Sequence, residues 1–327
     1  YWNGSAWFQV HTATPDLASA GDRQPGARGI WCGGYAPGGS TDEVRYINIS
    51  STGDTQDFGD LNSGANSGAG SGQAASSTRG LFMSGQAKLN IDYVTFASTG
   101  NTVNFGNSTI AQGIYSAALS NSTRGIQAGG WGPQGFASPY ASTDIIEYVT
   151  IASTGNAIDF GNLVTAVNRH GGAASPTRGI FFGGQTTIPA GVLNDIQYIT
   201  TATLGNAQTF GELTGIRATL GSCSSATRAI SFGGNTPTRT ADIDYVTIAS
   251  TGNATSFGDL GTACNSGNAV NSPTRGVHAI SNTEGTGDIN TLEYINIATT
   301  GNAVDFGDNN TNKMRHAWPT SNGHGGL

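Results

Sequence analysis

The sequence predicts an all-β protein built from a repeated four-stranded unit, and three recurring phrases lead to this prediction. The first is a ten-residue phrase, TGNAIDFGNL at residues 154–163, which occurs in six versions along the 327-residue chain. The second reads TRGIFFGG from Thr177, and the third reads IDYVTIAS from Ile243; each also has six copies. No stretch shows the apolar spacing of a helix. A repeat, and not a single site, is therefore the unit of organisation.

Each repeat contains four predicted strands, which we name a to d in chain order. Strand a is rich in small residues, strand b is the RGIFFGG phrase, strand c alternates with a period of two, and strand d ends in Phe-Gly. The turns from a to b and from c to d are too short for crossovers, so neighbouring strands are antiparallel. The Phe-Gly pairs recur with a period of about 50 residues, and four strands per such period are typical of a β-propeller blade.

The two ends of the chain decide the predicted number of blades. Six full repeats span residues 16–308, the segment 1–14 resembles a strand d hairpin, and the segment 309–327 aligns with the start of another repeat. We expect a single propeller domain over 1–327 with seven blades. In the seventh, residues 1–14 supply the closing outer strand and residues 309–327 the inner strands, which removes free sheet edges. Six blades with terminal extensions are the alternative.

The repeat resembles kelch-type propellers. Both have a double glycine closing the second strand, a tyrosine in the third and an aromatic residue in the fourth. The sequence departs from that pattern in having Phe-Gly where kelch blades carry Trp, and in replacing the double glycine at Ser84-Gly85 and Ile280-Ser281. The Trp-Asn-Gly-Ser-Ala-Trp stretch at residues 2–7 and the Gly/Ser/Thr-rich repetition also resemble virion appendage and tail-fibre proteins of bacteriophages. That second resemblance implies a place on a virion surface or in an extracellular setting.

Composition narrows the classes of partner. The formal net charge is −7 and only two lysines, Lys88 and Lys313, are present, so the basic stripe of a nucleic-acid-binding protein is missing. No run of 18 apolar residues occurs, which argues against a membrane span. The three cysteines, Cys32, Cys223 and Cys264, are too few and too far apart for a disulfide framework, and we interpret them as small buried hydrophobic residues.

Six arginines occupy one repeat position and are the most regular charged feature of the chain. An acidic or amide residue precedes the repeated tyrosine in five of the copies. A ring of anion sites is one interpretation. We favour a structural role, as an ion pair or a backbone clamp in each blade, because arginine offers planar donors. The arginines are Arg28, Arg79, Arg124, Arg178, Arg228 and Arg275.

No catalytic, metal-binding or cofactor-binding residue is predicted. The five histidines lack paired metal spacing, and no acidic calcium loop occurs. A glycosidase would need a pair of carboxylates set apart from the repeat, and the sequence offers none. We therefore expect a protein without enzymatic activity; a propeller glycosidase or lyase is the least favoured alternative.

The b–c loops are the best candidates for binding. The a–b and c–d turns lie on one face and are nearly constant, whereas the b–c loops on the other face range from five residues at Gln86 to fourteen at Trp131. Such variation is typical of a recognition surface. The candidate binding residues are Trp131, Phe136, Tyr140 and Tyr35, although these aromatic side chains could instead fold back to cap the ring.

The preferred function is a virion structural or appendage protein. It would attach through the b–c loop face to a host surface glycan or protein, or to other virion proteins, and assembly as a homo-oligomer stays open. The alternative is a kelch-like interaction module of a secreted or cellular protein.

Overall fold

The structure is a computed structural model that describes residues 27–36, 39–62, 64, 71–83, 88–109, 115–131, 141–187, 189–279, 282–283, 287–309 and 315–327. Every regular element in these ranges is a β-strand. The strands form six antiparallel blades of four strands each, arranged as a β-propeller, and this confirms the predicted fold class. In the part of the chain so described, no helix is long and apolar enough to cross a membrane.

The blades are numbered 1 to 6 in the chain order of their b strands. From blade 1 to blade 6, the inner strands (a) are Trp318–Ser321, Ala74–Ala75, Ala117–Ser120, Gly171–Ala174, Gly221–Ser224 and Asn268–Asn271. The b strands are Arg28–Cys32, Arg79–Phe82, Arg124–Ala128, Arg178–Thr187, Arg228–Phe232 and Arg275–Ala279. The c strands are Glu43–Asn48, Asn90–Thr95, Ile145–Thr150, Ala190–Thr200, Thr238–Thr247 and Thr291–Asn296. The outer strands (d) are Gln56–Asp60, Val103–Asn107, Ile158–Asn162, Gln208–Glu212, Thr255–Asn265 and Val304–Asp308.

Short additional strands decorate the b–c loops. Tyr35–Ala36 pairs with Gly39–Ser40 in blade 1, and Asn235–Thr236 pairs with the c strand of blade 5. Asn282–Thr283 pairs both with Gly287–Asp288 and with the long outer strand of blade 5. The described parts of these three b–c loops therefore form small hairpins on one face of the ring.

The repeated apolar residues fill the space within and between the blades. In blade 4, Ile180 and Phe182 of strand b and Ile196 of strand c are fully buried, as expected for strands covered on both faces. The repeated tyrosine packs edge-to-face on the repeated phenylalanine; Tyr198 and Phe210 have ring centroids 5.8 Å apart. The same aromatic pair occurs in all six blades.

The ring closes with six blades, so the preference for seven was wrong and the six-blade alternative is confirmed. The C-terminal remnant supplies a single blade strand, Trp318–Ser321, which pairs antiparallel with Arg28–Cys32 as the inner strand of blade 1. It lies between the inner strands of blades 2 and 6, Ala74–Ala75 and Asn268–Asn271, so no room is left for a further blade. The outer strand predicted for residues 1–14 lies outside the described residues.

Each c–d turn covers the outer edge of the preceding blade, in a contact that we call the turn latch. Gly155 of blade 3 donates its amide to the carbonyl oxygen of Phe105 in blade 2 at 2.9 Å, and Ala157 donates to Asn107 at 2.8 Å. Equivalent bonds join every neighbouring pair of blades, including the sixth and the first. The exposed edge that an outer strand would otherwise offer is thus hydrogen-bonded.

Serine hydroxyls form the hydrogen bonds that cover the edges of the inner strands. Ser222 of blade 5 donates to the carbonyl of Gly172 in blade 4 at 2.8 Å and accepts from its amide at 3.0 Å. Ser224 makes the same pair of bonds with Ala174. The small polar residues of strand a therefore leave room at the axis and also satisfy the backbone of the next inner strand.

Candidate ligand-binding site

The six repeated arginines join adjacent blades. The guanidinium carbon of Arg178 lies 4.9 Å from the ring centre of Tyr198 in its own blade. Its Nη1 donates to the carbonyl oxygens of Ile248 and Ala249 in the next blade, at 3.0 and 2.9 Å. The other five repeat the stacking and donate to at least one carbonyl of the next blade: Arg28, Arg79, Arg124, Arg228 and Arg275. The structure therefore places them in backbone clamps.

The acidic and amide residues before the repeated tyrosines hold the loop that leads to the next strand a. Glu147 accepts hydrogen bonds from the amide and hydroxyl of Thr109 at 2.8 and 2.5 Å, and Gln197 accepts from the amide of Val164 at 2.7 Å. Both side chains are buried. They fix the backbone of the preceding blade and do not reach the repeated arginines.

A ring of residues in the left-handed backbone region surrounds the propeller axis. Each of them lies two residues before the start of a strand a, and each has a φ between 57° and 63°. We call this set the belt, and it comprises Tyr115, Arg169, Thr219, Ser266 and His316. Left-handed backbone is uncommon for such residues and costs roughly 1–2 kcal/mol each.

Backbone hydrogen bonds connect the belt from blade to blade. The amide of Arg169 donates to the carbonyl oxygen of Tyr115, and that of Thr219 donates to Arg169, both at 2.7 Å. Ser266 donates to Thr219 at 2.9 Å, and His316 donates to Ser266 at 3.2 Å. These bonds between blades hold the five residues in their strained conformation.

The belt lies at the centre of the face that carries the b–c loops, because every strand a begins there and runs towards the a–b turns. The other end of the axis is filled by residues 322–327. There, His324 Nε2 lies 3.0 Å from the hydroxyl of Ser120 and 3.1 Å from the carbonyl oxygen of Ala75. The opening of the axis that the belt frames, which we call the mouth, is therefore a depression in this face.

An arginine–aromatic cluster occupies one side of the mouth. The guanidinium carbon of Arg169 lies 4.5 Å from the ring centre of Tyr115 and 5.7 Å from that of Trp131. Tyr115 meets Trp131 edge-on at 5.2 Å, and His316 packs edge-on against the other side of Tyr115 at 5.2 Å. Trp131 thus belongs to the mouth although it comes from a b–c loop.

His170 follows Arg169 and helps to line the pocket at the mouth; its ring lies beside Gly129 of blade 3 and 5.9 Å from the ring of Phe181. It is 1% exposed, and neither of its ring nitrogens has a hydrogen-bond partner in the described part of the protein. Burial lowers the pKa of His170 to about 3, so its ring is neutral at physiological pH. The pocket that Tyr115, Arg169, His170 and His316 help to line is narrow: its accessible volume is about 10 Å³, room for a single water-sized group.

The positive charge at the mouth comes from arginine. Burial, and then Arg315 and Arg169, lower the pKa of His316 well below its ordinary value. Arg315 stacks on the ring of Tyr35 at 4.8 Å, and the Tyr35 amide donates to the Arg315 carbonyl oxygen at 2.8 Å. Tyr35 is 39% exposed and therefore presents part of its ring at the edge of the mouth.

Two of the four predicted binding residues, Tyr35 and Trp131, therefore lie beside the belt. Phe136 and Tyr140 lie outside the described residues. The sequence reasoning missed Tyr115 and Arg169, since both belong to the d–a loops, whereas the variation in length pointed to the b–c loops. One signal was available: Arg169 and His316 stand at the same repeat position, two residues before a strand a, so differing side chains occupy it.

A buried ion pair, also missed, supports one segment of the belt. Arg217 Nη2 pairs with the carboxylate of Asp244, and Nη1 donates to the Asp242 carbonyl oxygen at 2.9 Å. Burial lowers the pKa of Arg217, and the two aspartates oppose that shift. The pair fixes the chain two residues before Thr219.

The other polar clusters, cysteines and pockets in the described ranges are weaker candidates for a functional site. Those ranges contain no cluster of three or more His, Cys, Asp or Glu side chains suited to a metal. All three cysteines are free and buried, and burial raises the pKa of Cys264 to about 12. A more apolar pocket at the junction of blades 6 and 1 is lined by Trp31 and Leu292, both buried core residues, and is a packing seam.

The arrangement as a whole, a half-buried arginine between aromatic rings above an unpartnered histidine, suits binding of a polar ligand. No protein-family model and no curated protein matches this chain.

Proposed function

We propose that this protein is a non-enzymatic recognition module of a virion appendage. It attaches through the b–c loop face to a glycan or protein of a host surface, or to another virion protein. The belt carries this proposal. Five different side chains stand at one repeat position, in a backbone conformation that glycine adopts at no cost. Strained residues of this kind cluster at ligand sites.

The contrast between the two faces supports recognition on the belt side. The other face consists of a–b and c–d turns that repeat nearly the same residues and hold the blades together. Its axial opening is filled by the buried residues His324, Gly325 and Gly326. Side-chain variety is thus found on the face that carries the b–c loops.

The composition of the mouth supports binding in preference to hydrolysis. The belt supplies arginine, histidine, tyrosine and hydroxyl side chains, and none of its five residues carries a carboxylate. Glycoside hydrolysis uses a pair of carboxylates at the scissile bond. We therefore place the protein among binding proteins.

The proposed setting on a virion rests on the composition and on the covered strand edges. The chain has only two lysines, and the turn latch and the inner serines hydrogen-bond strand edges that could otherwise aggregate. Both features suit an exposed particle surface. A propeller is equally compatible with a protein-interaction module of a secreted or cellular protein, and the same face would serve there.

A binding assay with matched variants of the two faces tests this proposal. Fluorescently labelled protein is offered to a glycan array and to a panel of bacterial cells. The double variant Tyr35→Ala/Trp131→Ala should lose binding. The control Leu204→Ala removes an exposed apolar side chain from a c–d turn and should bind normally. Equal losses in both variants would refute recognition by the loop face, and absence of the protein from purified particles would refute the virion setting.

A further inference from the structure

We infer that the mouth framed by the belt binds the carboxylate of an acidic saccharide, with Arg169 as the anion-binding side chain. Tyr115 and Trp131 form the aromatic wall of this site. The inference rests on the proposed function and names the class of ligand for the same face.

The charge of Arg169 is available to a ligand. Within the described residues Arg169 forms no ion pair; its Nε is buried without a hydrogen-bond partner, and its Nη1 donates one long hydrogen bond, 3.4 Å, to the neutral amide oxygen of Gln185. The ring of Tyr115 at 4.5 Å fixes the guanidinium plane. A planar group held in this way binds a carboxylate with two parallel hydrogen bonds and loses little side-chain entropy.

His170 is the second, independent observation. Its neutral ring has one donor and one acceptor nitrogen; both are buried without a partner among the described residues, and the residue helps to line the narrow pocket, which has room for one hydroxyl group. Buried polar groups without partners are rare and costly in native proteins. A ligand hydroxyl group can accept from one nitrogen or donate to the other. A ligand that carries both a carboxylate and hydroxyl groups therefore satisfies Arg169 and His170 together.

The aromatic wall favours a saccharide over other anions. The apolar face of a sugar ring packs on aromatic side chains such as Trp131, whose ring meets that of Tyr115 edge-on at 5.2 Å. An extended peptide would add to a free strand edge, but the described outer edges are hydrogen-bonded by the turn latch. A nucleic acid is disfavoured because binding a phosphate backbone needs a basic stripe, and the chain has a net charge of −7 and only two lysines.

Matched acidic and neutral saccharides test the site. Sialyllactose is compared with lactose, and oligogalacturonate with galacto-oligosaccharide, by calorimetric titration of the full chain. We expect binding to at least one acidic member and about tenfold or greater weakening in Arg169→Gln, the usual effect of removing a charge-assisted hydrogen bond. Arg169→Lys keeps the charge but loses the planar fork, and should recover only part of the affinity.

Arg239→Gln is the matched control. Arg239 lies on a b–c hairpin of the same face, is half-buried and bonds to Asn282, so its loss also removes one positive charge. It should bind acidic saccharide like the wild type, and thermal melting should show that both variants are folded. Equal weakening in both variants would mean general electrostatic attraction and would overturn the inference, as would a lack of binding to every acidic saccharide.

Failure of this inference can be told apart from failure of the proposed function. If the double variant Tyr35→Ala/Trp131→Ala loses binding to a neutral partner while Arg169→Gln keeps it, the loop face is a recognition surface but the acidic ligand is wrong. If Leu204→Ala weakens binding as much as the double variant does, the proposed function itself is wrong.

Discussion

The backbone amide of Gly53 donates a hydrogen bond to the carbonyl oxygen of Phe306 at 2.8 Å, which joins the first blade to the sixth. Gly53 belongs to the c–d turn of blade 1, and Phe306 to the outer strand of blade 6. The two halves of the repeated ten-residue phrase therefore bind each other across successive copies. The propeller is closed twice, by this outer circle of turn latches and by the inner strand Trp318–Ser321.

The turn latch predicts opposite effects for two facing glycines. A methyl group added at Gly106 would lie 2.1 Å from the carbonyl oxygen of Gly155, whereas one added at Gly155 would meet no atom within 4 Å. Gly106→Ala should lower the free energy of unfolding by about 1–3 kcal/mol, as overpacking against a backbone does. Urea denaturation measures the change.

Gly155→Ala is the control for this prediction. Its backbone is not among those with a strained positive φ, so alanine fits there and the stability should stay within about 0.5 kcal/mol of the wild type. If both variants lose the same stability, the close approach of the two turns is incorrect.

Because Trp318 lies in the strand that closes the ring, we expect its replacement to destabilise the fold more than deletion of residues 1–14 does. Trp318 is 3% exposed in the inner strand that completes blade 1, and Trp318→Ala should cost about 3–5 kcal/mol. Deleting residues 1–14 removes none of the described blade strands and should shift the melting temperature much less. A larger loss from the deletion than from Trp318→Ala would show that the N-terminal segment closes the ring.

The arginine clamp predicts a measurable loss of stability when one of the repeated arginines is replaced by lysine. Lysine at position 178 keeps the charge but cannot stack on Tyr198 and reach the carbonyl oxygens of Ile248 and Ala249 with one planar group. Arg178→Lys should lower the free energy of unfolding by about 1–2 kcal/mol. Arg239 lies outside the repeated clamp, so Arg239→Lys should change the free energy of unfolding by less than half of that amount. Thermal melting of the two variants and the wild type measures the difference.

The sequence predicts the blade well because every level of its pattern repeats. The period-two alternation of strand c, the double glycines and the Phe-Gly pairs each agree with four antiparallel strands. The number of blades could not be read in the same way. The segment that contains Trp318–Ser321 looks like the start of a new blade, and only the geometry of the ring shows that it pairs with Arg28–Cys32 at the other end of the chain.

The candidate site was less accessible to sequence reasoning for a physical reason. Tyr115 and Arg169 have no local tendency towards left-handed backbone, in contrast to histidine. They adopt it because hydrogen bonds from the neighbouring blades hold them there, and such bonds exist only after the ring has assembled. Trp131 could be found because an aromatic residue in a long loop stands out, whereas its partner Arg169 could not.

Buried histidines predict that the fold loses stability in acid. Burial lowers the pKa of His278 to about 3, while its ordinary value is 6.5. Between these pH values the unfolded chain binds a proton that the folded chain does not. The contribution of His278 to the free energy of unfolding is therefore fully present above pH 6.5 and is lost as the pH falls towards 3. Glu293, which lies opposite His278 in the sheet, acts in the other direction because burial raises its pKa. A comparison of variants is therefore needed to isolate His278.

His278→Leu provides that comparison. The ring of His278 stacks on Phe232 at 5.1 Å and neither nitrogen has a partner in the described residues, so an apolar replacement leaves no polar group behind. The wild type should lose about 2 kcal/mol more than His278→Leu between pH 7.5 and pH 5, since one extra proton binds the unfolded chain over about 1.5 pH units. Urea denaturation at the two pH values measures this difference. Parallel losses would show that His278 is protonated within the fold and is in contact with water, because only a histidine that stays neutral when folded makes the two curves diverge.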